Sequence, residues 1–330
     1  MSDNEKQVVN RGVRYLDVDV DSSGQRLDNY LVRELKGVPR TRLYRALRKG
    51  EIRVNKGRVK ADYRLVTGDK VRIPPLRQPE PGEPPTIPRY WSEQLTKRLV
   101  YEDGNLLVIN KPSGLAVHGG SGLSFGLIEC LRQMRPEDRY LELVHRLDRD
   151  TSGLILIARK PAILRELHRQ LREKHVDKRY LALVAGPWPK NQRVVDAPLQ
   201  KNVVQSGERM VRVAMEGKRA VTEFSIVERL RGATLVEARP VTGRTHQIRV
   251  HAQCLGHPLV VDERYGDADA NRQARKLGLK RLFLHAQSIS FPDNSGNEQH
   301  FTAPLADDLD HFLTHGLQAR KSRKFRRSPS

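Results

Sequence analysis

Two hydrophobic rhythms run along the chain. In GQRLDNYLVREL, Leu27, Tyr30, Leu31 and Leu35 recur at helical spacing and predict a helix that Gly37 and Pro39 stop. Leu43, Ala46 and Leu47 predict a second helix, opened by Thr41 as N-cap and closed by Gly50. Around these helices, RYLDVDV at 14–20 alternates as a strand does. Ile52 and Val54 alternate with charge ahead of Asn55-Lys56-Gly57, a tight-turn sequence, and GDKVRI supplies a further short strand. Beyond residue 97 the apolar runs lengthen. LLVIN, LILIARK, YLALVAG, VTEFSIVERL and TLVEARPVTG predict strands, and PAILRELHRQLREK places Ile163, Leu164, Leu167 and Leu171 on one helical stripe. The pattern predicts an α+β protein, with a small α/β domain at 14–75 and a larger mixed-sheet domain at 93–317.

Between the two, residues 74–88 hold seven prolines, a composition that suits neither helix nor central strand. Residues 76–92 are therefore expected to be a semi-rigid linker. A flexible N-terminus at 1–13 and a disordered tail at 318–330 are expected to flank the domains. The stretch 320–330, RKSRKFRRSPS, carries six basic residues and no acid. No internal repeat is seen. The start MSDNEKQVVNRG lacks an apolar signal core, and no run approaches membrane-spanning length, so a cytoplasmic protein without a membrane partner is expected.

Charge narrows the function. The net charge of the 330 residues is +21, an excess that self-repels unless a polyanion offsets it. Residues 24–73 alone hold fifteen Lys and Arg against five Asp and Glu. The second helix presents Arg42, Arg45, Arg48 and Lys49 away from its apolar side, with Arg53 just beyond, as a phosphate-gripping RNA module would.

Candidate chemistry lies in VHRLDRDTSGLILIARK at 144–160. Five ionisable residues, His145, Arg146, Asp148, Arg149 and Asp150, stand at the entrance to an apolar strand. Charges so close to a core are costly unless paired or used. Two more stretches combine reactive groups with strand ends: KRYLALV at 178–184 and VTGRTHQIRVHAQCLGHPLVVD at 241–262, where Arg244, His246, Arg249, His251 and His257 crowd together. These histidines lack zinc-helix spacing, so no metal is expected. There is no GxSxG elbow, P-loop or dinucleotide fingerprint. The two cysteines, Cys130 and Cys254, read as buried small hydrophobes rather than ligands or a disulfide.

HRLDRDTSGLILIARK, KRYLALV and GRTHQIRVH…LGHPL together resemble the signature blocks of the RluA family of pseudouridine synthases, with NKPSGLAVHGG at 110–120 as a further block. GQRLDNYL, TRLYRALRKGEIRVN and GDKVRI resemble the alpha-L RNA-binding domain found in a ribosomal small-subunit protein. The resemblance implies isomerisation of uridine to pseudouridine. Its substrate would be large-subunit ribosomal RNA, free or in a precursor particle, modified at several sites by a monomer that needs no small-molecule cofactor. It also implies that Asp148 is the catalytic nucleophile or base, that Arg249 keeps it charged and oriented, and that Tyr180 stacks on the uracil, with its phenol oxygen able to help remove the proton on carbon 5. The target base would first be flipped out, with Arg146 filling the gap or holding a phosphate and Arg244 and His246 near the substrate. Two rival readings share some of these features. A non-catalytic RNA-binding factor would keep the fold and lose the chemistry, and a metal-dependent nuclease would need clustered carboxylates, which the sequence lacks.

Overall fold

The computed structural model describes residues 8–10, 12–20, 22–35, 37–79, 86–120, 123–203 and 209–317. Outside them lie the expected basic tail at 318–330, residues 1–7 and 11 of the expected flexible N-terminus, and residues 80–85 of the proline-rich stretch. The division between two compact units falls between Thr86 and Ile87, with the short segment Lys160–Ala162 grouped with the first.

The first unit runs β1 (Val8–Asn10), β2 (Arg14–Asp17), α1 (Leu27–Glu34), α2 (Arg40–Lys49), β3 (Arg53–Val54), β4 (Lys70–Ile73) and β5 (Arg77–Pro79). β4 is the centre of an antiparallel sheet with β2 and β3, and β1 pairs with β5. The periodic residues of α1 and α2 close one core with Ile52, Val71 and Ile73. Asn55 and Lys56 both have positive φ, 49° and 67°, and Val54 and Gly57 exchange backbone hydrogen bonds, which makes a type I′ turn. Three expectations are corrected. α2 begins at Arg40 with Pro39 at its N-cap and no side-chain cap, so Thr41 does not open it; the fixed φ of proline sets the entry instead. β2 ends at Asp17, because Val18 turns inward and bonds to the Gly68–Asp69 turn. The stretch 76–92 also holds regular structure at both ends: β5, and a helix that starts at Arg89 directly after Pro88.

The second unit runs α3 (Arg89–Thr96), β6 (Leu99–Glu102), β7 (Leu106–Lys111), α4 (Leu127–Met134), β8 (Glu142–Leu143), β9 (Ser152–Ala158), α5 (Pro161–Glu173), β10 (Asp177–Ala185) and β11 (Val194–Asp196). It continues through β12 (Leu199–Val203), β13 (Arg209–Val213), β14 (Val221–Leu230), β15 (Ala233–Pro240), α6 (Gln247–Cys254), α7 (Ala268–Lys276), β16 (Leu284–Pro292), β17 (Glu298–Thr302) and α8 (Asp307–His311). One mixed sheet has the order β11-β14-β15-β10-β16-β9-β7-β6, with β17 beside β16 and β8 beside β9. Its pairings are antiparallel except β9 with β16. β12 and β13 form a separate hairpin. Every residue of β9 is buried, as its apolar run predicts. Cys130 is buried as expected, but Cys254 is exposed, since it lies on the solvent side of the last turn of α6.

One row of residues crosses the middle of this sheet: Lys111, Gly153, Ala286, Tyr180, Ala238 and Phe224, each the register partner of the next. Tyr180 thus stands between two alanines, whose small side chains leave room beside its ring. The register between β10 and β16 shifts just before Tyr180, a bulge of the kind that re-aims a side chain.

Candidate active site

The loop from β8 to β9 carries Asp148 to the end of the central strands. Four residues, His145, Lys111, Ser113 and Gly114, hold this loop in place. His145 Nε2 accepts the Leu156 N–H at 3.2 Å, and burial, with help from the charge of Lys178, lowers its pKa to about 3. His145 is therefore a neutral support, not an acid–base group at neutral pH. Lys111 is fully buried, and its ammonium donates to the carbonyls of Pro112, Leu115 and Arg149 at 2.9, 2.8 and 3.0 Å. Burial pushes its pKa down to about 7, yet the three carbonyl acceptors use all three ammonium protons. Ser113 Oγ donates to the Asp150 carbonyl at 2.8 Å, and the Gly114 N–H reaches the Arg149 carbonyl at 2.9 Å. The NKPSG block is thus the bracket beneath the HRLD loop. Its lysine is not positioned to meet RNA phosphates.

Asp148 faces α6. Arg249 donates to it from Nη1 at 3.2 Å, and in the other direction forks onto Asp262 through Nε and Nη2 at 2.7 and 2.8 Å. Arg249 and Asp262 are almost fully buried. Burial opposes both charges. Their mutual bond nevertheless raises the guanidinium above its ordinary value and lowers the Asp262 carboxyl below its own. Asp262 also accepts the backbone N–H groups of Arg264 and Tyr265 at 2.9 and 3.0 Å, so a turn fixes the carboxylate that fixes the arginine.

His246 stands 3.8 Å from Asp148 through Nε2, with φ of 53° at the N-cap of α6. Its Nδ1 lies 2.8 Å from the Tyr265 hydroxyl, and that oxygen accepts the Val211 N–H at 3.0 Å. The hydroxyl proton is then free to point at Nδ1, which places the imidazole proton on Nε2, toward Asp148. The Tyr265 ring also lies beneath the guanidinium of Arg249, 5.0 Å from centroid to carbon.

These groups open onto a cavity of about 570 Å³, the size of a small-ligand site. Asp148, Tyr180, Arg249, Arg146, Arg244 and His246 all line it, so the structure brings these six expected residues together. Burial, and secondarily the charge of Asp148, raises the pKa of Tyr180 above its ordinary value, which keeps the phenol protonated at neutral pH. Lys178 also lines the cavity, where burial lowers its pKa against the attraction of Asp177. Within the opening motif, Arg149 pairs with Asp150 at 3.1 Å, a surface ion pair of the ordinary kind. Arg146 is exposed at the cavity and does not pair with Asp148. His251 and His257 are structural: His251 bridges Thr222 and the Ala197 carbonyl at 2.9 and 3.0 Å, and His257 bonds the Ala185 carbonyl at 3.0 Å.

The remaining expected residues lie in the first unit. Arg45, Arg48 and Lys49 are exposed on α2. Arg42 pairs with Glu51 at 3.2 Å, and Arg53 donates to the Gly50 carbonyl at 2.9 Å, so these two are partly committed within the unit.

A family model for RNA pseudouridylate synthase matches residues 105–254, and an S4 domain model matches residues 25–71. The chain is 55% identical over 311 residues to ribosomal large subunit pseudouridine synthase C of Pasteurella multocida (strain Pm70), covering 94% of this chain and 95% of that one. It is 54% identical over 305 residues to ribosomal large subunit pseudouridine synthase C of Escherichia coli (strain K12), covering 91% and 96%. The chain belongs to the RNA pseudouridylate synthase family. Among solved structures, this synthase resembles human RNA pseudouridylate synthase domain containing 4, with a TM-score of 0.58 and 27% identity over 69% of this chain and 97% of that one. The sheet that carries Tyr180 and the Asp148 loop is therefore a synthase sheet, and the basic helices of the first unit belong to an S4 domain.

Sequence reasoning missed Asp262, Tyr265 and the bracketing role of Lys111. Asp262 ends the apolar run LVVD, and a buried arginine with one recognised carboxylate has donors to spare; together these were its only signal. No helix among the described residues is long and apolar enough to cross a membrane.

Proposed function

We propose that this synthase converts uridine to pseudouridine at several positions in large-subunit ribosomal RNA, free or in an assembling particle, acting as a cytoplasmic monomer. The observation that carries the reading is the meeting of Asp148, Tyr180 and Arg249 at one cavity, from three stretches far apart in sequence. The names of these two relatives, both large subunit pseudouridine synthases, support the substrate class.

The chemistry assigned to the site is an isomerisation. The bond between ribose C1′ and uracil N1 breaks, the base turns within the cavity, and C1′ bonds to C5. The C5 proton leaves and N1 gains one, so atoms balance and no redox partner or co-substrate is consumed. Asp148 acts on the nucleotide as nucleophile or base, and Arg249, locked by Asp262, aims its carboxylate. Tyr180, protonated and confined between Ala286 and Ala238, is assigned to stacking against the uracil. A stacked base cannot enter such a cavity, so the uridine is extruded at a cost of a few kcal/mol, and exposed Arg146 enters the space it leaves.

Tritium release from large-subunit RNA transcribed with carbon-5-tritiated uridine tests the proposal. Wild-type protein is expected to release tritium, and Asp148→Asn to release none while keeping most of its RNA affinity. Release by Asp148→Asn at the wild-type rate would remove Asp148 from the chemistry. The absence of release with wild type on ribosomal, transfer and total cellular RNA would overturn the enzymatic reading.

A further inference from the structure

The cavity has a wall that the chemistry above does not use. α5 ends at Glu173, and the chain reverses through Lys174, whose φ is 62°. The His175 N–H returns to the Gln170 carbonyl at 2.9 Å, the closing bond of a Schellman turn with Lys174 at its left-handed position. Glycine is the residue that suits that position, and lysine occupies it at a conformational cost. Its exposed side chain lines the cavity together with Arg172 from the last turn of α5 and Lys178 from the start of β10.

These three cations make no carboxylate ion pair among the described residues, although carboxylates stand close by and Asp177 attracts Lys178 from a distance. Glu173 is taken by Arg169, and Asp177 by Arg179 and Arg239. Gly243 also lines the cavity beside Lys178, where a β-carbon would stand 3.9 Å from the ammonium, an ordinary contact distance. Like charges gathered around a concave surface repel one another until an anion joins them. Nearby, Arg169 of α5 and Arg179 of β10 are each neutralised by carboxylates, so the unpaired state of the wall is local.

We propose that Arg172, Lys174 and Lys178 form a phosphate-binding wall that grips the RNA backbone beside the extruded uridine. The wall rests on the isomerase reading for the identity of the strand it holds. Its place, at the cavity rim and in the sheet unit, gives this unit an RNA grip of its own. The residues touch backbone and not the reacting atoms, so their loss acts on RNA affinity and spares the chemical step.

The test uses the full-length protein, the tritiated transcript and a salt series. Lys174→Gly removes the charge and also relieves the left-handed backbone, so its melting temperature is expected to equal or exceed that of wild type. Lys174→Gly combined with Arg172→Gln is expected to raise KM about tenfold and keep kcat within about twofold. The slope of log affinity against log salt should fall by roughly 0.7–0.9 for each phosphate no longer gripped. A double variant with wild-type KM and salt slope overturns the wall. So does one that loses kcat at saturating RNA with KM unchanged, which would place these residues in the chemistry. Failure of wild type to release tritium strikes the isomerase reading instead, and the salt slope of RNA binding still decides the wall.

Discussion

Arg249 divides its donors between two carboxylates with different jobs. Asp262 receives the bidentate fork and is sealed from water, whereas Asp148 receives a single, longer bond and borders the cavity. The strong pair fixes the arginine so that the weak one can aim the reactive group. Asp262→Asn keeps the shape of the turn but takes from a buried guanidinium its bidentate charge partner and leaves only the single, longer bond to Asp148. Breaking such a pair costs about 3–5 kcal/mol, so chemical denaturation should show a loss of that order. The surviving folded protein should lose at least tenfold in kcat, with RNA KM little changed, because the aim of Asp148 is disturbed and the grip on RNA is not. A wild-type kcat in Asp262→Asn would mean that Arg249 holds its place without the pair. Arg249 and Asp148 were legible in the sequence through their motifs. Asp262 was not, because its role depends on a fork arriving from a helix thirteen residues upstream, and no local pattern records that meeting.

At the scale of elements, the site depends on how closely β9 and β16 run. Gly153 follows the HRLD loop with φ of 110°, and a β-carbon there would meet the Ala286 backbone, 2.3 Å from its oxygen and 2.5 Å from its nitrogen. Both backbones are pinned in the sheet, so neither can retreat. Gly153→Ala should therefore cost upwards of about 3 kcal/mol and lower the melting temperature by roughly 6–12 °C, as read by thermal unfolding. A loss under about 1 kcal/mol would show that the parallel pair can separate. The apolar rhythm reveals β9 and α5 because each buries a pattern that a period can find: β9 on both faces, and α5 on a stripe of Ile163, Leu164, Leu167 and Leu171. α6 escaped the same reading. Gln247 through Ala252 are all buried, polar and apolar alike, so the helix that carries Arg249 has no clean stripe. The hairpin of β12 and β13 escaped too, being two strands of five residues each in which polar and apolar residues are equal in number.

Across the whole molecule, the excess of +21 is unevenly used. Many arginines of the sheet unit are tied to carboxylates, as Arg159 and Arg135 are to Asp138 and Glu102. Arg45, Arg48 and Lys49 instead stand exposed along one short S4 helix whose other side is core. Their apolar neighbours Leu43, Ala46 and Leu47 hold the helix in place, so the cations can be reversed without opening the core. The triple change Arg45→Glu, Arg48→Glu and Lys49→Glu should leave thermal unfolding within a few degrees of wild type. It should weaken RNA binding by at least tenfold at moderate salt and flatten the salt slope by about 0.7–0.9 for each phosphate that is released. Tritium release at saturating RNA should persist, since the cavity that holds Asp148, Tyr180 and Arg249 is lined by residues of the sheet unit. If this footing and the cavity wall both grip phosphates of one bound RNA, their separate penalties should multiply when the variants are combined, as independent sites do. A triple variant with unchanged affinity and slope at low salt would remove α2 from the RNA interface and leave the S4 charge without a partner. A combined variant no weaker than the triple one would mean that the wall engages RNA only after the S4 helix has delivered it.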